Sequence, residues 1–184
     1  MTRSLLISPL HLNELSRLAR AGAPEEICGI LLGKRQWVQS ISPITNDAPT
    51  PETMFYMNEA QLVNIFHTAQ MNGQDILAFY HSHPKSDPIP STSDIRHAHY
   101  PDIPQLIIGV KPNDVQFALW WIRGEDVTRG ELVVDTADPS MVYTPPPTTS
   151  LGKGAILIAS ITALLILIVI ALALLPPAPE LPIR

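Results

Sequence analysis

Residues 81–94 read His-Ser-His-Pro-Lys-Ser-Asp-Pro-Ile-Pro-Ser-Thr-Ser-Asp. Three of these side chains, His81, His83 and Asp94, are metal donors. Catalytic zinc is typically held by three protein donors of this kind, with one position left open. Ser91 stands in the same segment and offers a hydroxyl as a nearby hydrogen-bond donor. The spacing has a geometric rationale. After Gly73, Asp75 opens a mostly apolar stretch of strand length that ends at the two histidines. In a strand, residues i and i+2 point to one side, so both imidazoles can aim at one ion. Pro84, Pro88 and Pro90 keep the following loop out of helix. A helix can start after it, with Ser91 as N-cap and Asp94 at the third position, turning the carboxylate back toward the histidine pair.

Two plainer readings stand beside this one. Ser-x-x-Asp ahead of a helix resembles a capping box, in which the acid serves the backbone. A His-x-His in a strand is often mere surface. The metal reading is adopted because one proline-stiffened loop joins the histidine pair to the acid.

A metal hydrolase also needs a base to take a proton from water. The candidates lie in Pro24-Glu25-Glu26-Ile27-Cys28-Gly29-Ile30-Leu31-Leu32-Gly33, where two acids lead into an apolar, glycine-punctuated strand. Successive strand residues face opposite ways, so only one of Glu25 and Glu26 can reach the metal. The other is an exposed acid at a strand start.

Taken together, Glu26-x-Cys28-Gly29-Ile30-Leu31-Leu32-Gly33, His81-x-His83-Pro84 and Ser91-x-x-Asp94 resemble the JAMM (MPN+) metalloprotease family. The resemblance covers roughly residues 5–135 and rests on two separated motifs with matching internal spacing. It implies an α/β fold, a cytidine-deaminase-like mixed sheet flanked by helices. It implies one zinc per chain on His81, His83 and Asp94. It selects Glu26 over Glu25, because the family's acid stands three residues before the glycine of Cys-Gly. Glu26 would hold and deprotonate water at the zinc, and Ser91 would donate to the oxyanion that forms. The implied substrate is the C-terminal tail of a ubiquitin-like or sulfur-carrier protein, cut at a peptide or isopeptide bond. A non-catalytic MPN-type interaction domain is the alternative. RadC-type proteins share the His-x-His-Pro and Ser-x-x-Asp pattern, but the block from Glu26 to Gly33 argues against them.

The remaining reactive side chains fit plainer roles. Cys28 is the only cysteine, which excludes an intrachain disulfide, and its apolar strand makes it a small buried hydrophobe. His97 and His99 fall on the helix after Asp94, where His97 can approach the site. His11 and His67 fall on helices and face solvent. Lys85 and Asp87 are polar loop residues beside the site.

These residues need a scaffold. Ser8 caps a helix with Pro9 at its first position, running to Gly22. Strands follow near 26–33 and 36–42, then turns over 46–52. A second helix runs from about Asn58 to Met71, with Leu62, Ile65, Phe66 and Ala69 on one face and Gly73 as its stop. The strand into His81 comes next, then the loop and a helix over 92–99. Closing strands fall at 105–110, 115–122 and 131–134, with turns at 111–114 and 124–126. This order of helices and adjacent strands fits a mixed sheet with helices against it.

The catalytic domain is expected to span residues 1–137. Residues 138–150 contain four prolines, Pro139 and Pro145 to Pro147, and form with 151–153 a stiff linker. Gly154 to Leu175 is uncharged over 22 residues, about 33 Å of helix against a bilayer core of about 30 Å. It reads as a transmembrane anchor followed by a short tail, 176–184. Met1 to Pro9 does not read as a secretion signal, so the expected topology places the catalytic domain in the cytoplasm. A net charge of −5 argues against nucleic acid as a main partner.

Overall fold

A computed structural model describes residues 4–135. The linker and anchor predicted over 138–175, and the tail 176–184, lie outside the described residues. Among the described residues no helix is long and apolar enough to cross a membrane.

In chain order the elements are β1 (Ser4–Ile7), α1 (Pro9–Gly22), β2 (Cys28–Lys34), β3 (Trp37–Ile44), α2 (Glu59–Met71), β4 (Asp75–His83), α3 (Thr92–Arg96), β5 (Gln105–Lys111), β6 (Asp114–Arg123), β7 (Asp126–Arg129) and β8 (Glu131–Val134). The strands form one sheet in the order β7-β6-β5-β4-β2-β3-β1-β8. β4 runs parallel to β5, and β1 parallel to both β3 and β8. The other neighbours are antiparallel, so the sheet is mixed.

Both long helices start as the sequence predicts. The Ser8 hydroxyl accepts the His11 amide at 3.2 Å ahead of Pro9, and the Asn58 side chain accepts the Gln61 amide at 3.0 Å. α1 buries Leu15 and Ala19 against Leu31, Val38, Ala78 and Tyr80 on one face of the sheet. α2 buries Ala69 and packs Leu62, Ile65 and Phe66 against Ile30, Leu32 and Phe79 on the other. Gly73 stands just past α2 with φ at 60°, a conformation that glycine enters without a steric penalty. β4 therefore feeds both layers. Its alternation sends Ala78, Tyr80 and Ser82 toward α1, and Phe79, His81 and His83 toward α2.

One expectation needs correction, and two strands escaped the sequence reading. The helix predicted over 92–99 stops at Arg96, with His97 as its C-cap. Pro101 lies close behind and disfavours helical backbone at the residue before it. β1 and β7 were not predicted. Each is four residues long, too short to show periodicity, and each exists because a neighbour supplies its ladder.

Candidate metal centre

β4 delivers His81 and His83 to the site at the point where the strand leaves the sheet. Their Nε2 atoms lie 3.1 Å apart. Asp94 closes the triangle, with Oδ1 at 3.5 Å from His81 Nε2 and Oδ2 at 3.3 Å from His83 Nε2. One donor atom from each residue falls within a 4.8 Å span. All three are buried, at 0%, 6% and 6% exposure, so water cannot satisfy them freely.

For His83 a neighbour decides which nitrogen is offered. The Asp87 carbonyl can only accept, so His83 donates Nδ1–H to it, at 3.1 Å, and leaves the Nε2 lone pair for the site. The Phe55 ring stacks on His81 at 4.3 Å and fixes the tilt of its plane. Two further contacts pin the loop that supplies Asp87. The Trp120 indole N–H donates to the Pro88 carbonyl at 2.8 Å, and Lys111 pairs with the Asp87 carboxylate. A Cβ at Gly109, which pairs with His83 across the β4–β5 ladder, would lie 2.7 Å from Pro88 Cδ. Only glycine lets the loop lie this close to the sheet.

The two readings of Ser-x-x-Asp turn out to be compatible. The Asp94 amide donates to Ser91 Oγ at 3.1 Å, and the Ser91 amide donates to Asp94 Oδ2 at 2.7 Å, a complete capping box. Oδ1 remains directed at His81. The Ser91 hydroxyl acts as an acceptor in the cap, so its own proton stays available to a further partner.

Glu26 and Glu25 part company in burial. Glu26 is 7% exposed, and Glu25 is exposed. The Glu26 main chain is held by its amide donating to the Pro51 carbonyl at 2.7 Å and by the Asn46 amide group donating to its carbonyl at 2.9 Å. Its Oε2 is buried without a hydrogen-bond partner among the described residues. Burial pushes the carboxyl up to about 7, with His83 pulling it down and Asp94 pushing it up. A group poised there can both accept and release a proton near neutral pH.

The other charges fit a cation site. Burial pushes Asp94 up, but the His81 and His83 imidazoles beside it and the Ser91 amide outweigh it and hold the carboxyl well below the usual range. Burial lowers His81 and keeps it neutral despite Asp94. Burial also opposes charge on His83, yet Asp94, the Asp87 carbonyl and Glu26 leave its pKa raised. The field at this point thus favours one positive charge. A divalent ion held by two imidazoles and a carboxylate would satisfy that field, and the nitrogen and oxygen donor set suits zinc.

The remaining predicted residues lie elsewhere. Cys28 is buried, and burial pushes its thiol up to about 12, far from a reactive thiolate. The His97 ring accepts no role at the triangle; its Nδ1 donates to the Ser93 carbonyl at 2.9 Å. It lines, with Asp94, Phe55, Tyr56 and Tyr100, a groove of about 1020 Å³ beside the site. His99 lines the same groove, His67 is exposed, and His11 meets the Ser8 hydroxyl at 3.0 Å. Asn46, Phe55 and Ser82 escaped the sequence reading. Only Ser82 left a signal there, a polar residue in the apolar run of a central strand.

Comparison with known proteins agrees with this geometry. A desampylase of Haloferax volcanii is 37% identical over 95 residues, 48% of this chain and 68% of that protein. A Thermus thermophilus protein described as "Probable TtuB-protein conjugate cleaving protease" is 34% identical over 87 residues, 47% of this chain and 57% of its own length. A protein from Desulfitobacterium hafniense, solved in solution, superposes with a TM-score of 0.66 at 27% identity, over 71% of this chain and 92% of that one. The family model described as prokaryotic homologs of the JAB domain matches residues 9–123. That match takes in Glu26, the histidine pair, Ser91 and Asp94, and the chain belongs to this family of hydrolases.

Proposed function

We propose that this chain is a zinc metallopeptidase that cuts the peptide or isopeptide bond at the C-terminal tail of a ubiquitin-like or sulfur-carrier protein. The observation that carries the reading is the convergence of His81, His83 and Asp94 beside a buried, unpartnered Glu26 carboxylate. The named relatives, a desampylase and a conjugate-cleaving protease, support the choice of bond and substrate class. His81, His83 and Asp94 would hold the zinc, which when bound lowers the pKa of water and polarises a carbonyl. Glu26 takes the proton of the attacking water and returns it to the leaving amine. Ser91 donates its hydroxyl hydrogen to the carbonyl oxygen as that oxygen gains charge. The groove beside Asp94 receives the extended tail.

The test uses the full chain and a sulfur-carrier protein joined through its C-terminal carboxyl to a lysine of a reporter peptide. Cleavage at the junction, abolished by a chelator and restored by zinc, is the expected result. Bound zinc without cleavage of any such conjugate would favour the non-catalytic interaction domain.

The uncharged stretch Gly154 to Leu175 supports a second part of the proposal, a single C-terminal membrane anchor with the catalytic domain on the cytoplasmic side. At about 3.1 Å per residue, the 13 residues from 138 to 150 reach about 40 Å. Substrates at the membrane surface fall within that reach. Release of the full-length protein by an alkaline carbonate wash would reject the anchor. Protection of the catalytic domain from protease added on the cytosolic side would reject the orientation.

A further inference from the structure

Ser82 stands between the two histidines in sequence but faces away from them. It is fully buried. Its Oγ accepts the Ile27 amide at 3.0 Å, and its own amide donates to the Ile27 carbonyl at 3.0 Å. Ile27 immediately follows Glu26. The last registered pair of the β2–β4 ladder is Cys28 with His81, so Ile27 lies just beyond it. There the Ile27 amide is satisfied by a side chain instead of a strand carbonyl.

The Glu26 carboxylate needs such support. It is buried with one oxygen unpartnered, and a buried polar group without a partner costs free energy. Left to itself, the chain would swing this side chain toward water. Its main chain is held from the outer side by Pro51 and Asn46. From the inner side, Ser82 ties the next residue to the strand that carries both histidines. Two hydrogen bonds on one residue fix orientation as well as distance.

We infer that Ser82 is a positioning residue that locks the Glu26 carboxylate to the histidine-bearing strand through Ile27. This rests on the reading of Glu26 as the proton carrier. Ser82 touches neither substrate nor metal in this scheme. A small misplacement of a proton carrier is sufficient to lower turnover on the order of 10²-fold.

The experiment compares wild type, Ser82→Ala, Ser82→Cys and Ser82→Thr in the zinc-loaded full chain. Zinc affinity is read by chelator competition, Ile27 amide exchange by hydrogen–deuterium exchange, and kcat and KM on the conjugate described above. Ser82→Ala is expected to keep zinc affinity within about threefold while Ile27 exchange rises on the order of tenfold. Its kcat should fall between about 10-fold and 100-fold with KM nearly unchanged. Should Ser82→Ala fail to fold, Ser82→Cys keeps the volume, weakens the acceptor, and should give the same split. Ser82→Thr retains the hydroxyl and should restore kcat to within a few-fold of wild type. Faster Ile27 exchange with kcat unchanged overturns the inference, as does loss of zinc in step with loss of kcat. A wild-type chain that cleaves no conjugate overturns the proposed function itself, and the inference with it.

Discussion

The two faces of the sheet are built from the same strands to opposite ends. Under α1, Leu5, Ile7, Leu15, Leu31, Leu106 and Leu119 pack into an apolar layer. Under α2, the apolar layer of Ile30, Leu32 and Phe79 gives way at its end to His81, His83, Asp94 and Glu26, all buried and polar. β4 serves both within a few residues: Tyr80 and Ser82 face α1, His81 and His83 face the site. One face gains stability from burial. The other gives some of it up to hold charges where water does not reach, which makes their interactions strong.

That contrast can be broken one face at a time. The largest effect is expected at the ligands. His83→Ala should remove most of the zinc and with it the activity, while the α1 layer keeps the domain folded; elemental analysis and circular dichroism check this together. Full zinc content in His83→Ala would sink the site as drawn.

Glu26→Gln preserves shape but cannot carry a proton. It should retain zinc and lose activity by a factor on the order of 10² or more, in a single-turnover assay of conjugate cleavage. Glu25→Gln, on an exposed neighbour, should stay near wild type. The reverse pattern would mean that the wrong acid has been assigned.

On the opposite face, Leu15→Ala removes a fully buried side chain and should cost about 2–5 kcal/mol in urea unfolding, with zinc stoichiometry unchanged. A drop in zinc content of the folded variant would show that the faces are not independent.

The smaller effect is a slope. Without zinc, Glu26 keeps its proton to about 7 in the fold, against the usual 4.5. Between those values the unfolded chain has lost the proton and the folded chain has not. The Glu26 contribution to the stability of the zinc-free protein should therefore fall as pH rises from about 4.5 to 7, by up to about 3 kcal/mol, and level off above, against the opposite slope that the buried, neutral His81 gives below its ordinary 6.5. Glu26→Gln should flatten that part of the curve. An unchanged slope in thermal melts across this range would contradict the buried, raised carboxyl.

Local rules made much of this legible in sequence. The cap at Ser8, the start of α2 near Asn58 and its apolar face, and the alternation through His81 and His83 are short-range signals, and each element appears where they point. What escaped depends on contacts between distant residues. β1 is only Ser-Leu-Leu-Ile and becomes a strand because β3 and β8 flank it. Asn46 opens the turn-rich stretch and Phe55 lies just past it, and nothing local says that Phe55 will stack on His81 and Asn46 grip Glu26. The end of α3 was misplaced because the residues after Asp94 carry no strong stop before Pro101.

The capping box at Ser91 and Asp94 has a consequence for how this site would decay if its activity were no longer selected. Both residues satisfy the start of α3, so losing either would cost helix stability whether or not any bond is ever cut. Glu26 has no such second employment; in the zinc-free protein its buried carboxylate is a burden. A lineage drifting away from catalysis would shed Glu26 first and keep Ser-x-x-Asp longest. Among descendants of this chain, the surviving acid at position 26 is therefore the better witness of an active enzyme, and an intact Ser-x-x-Asp the poorer one.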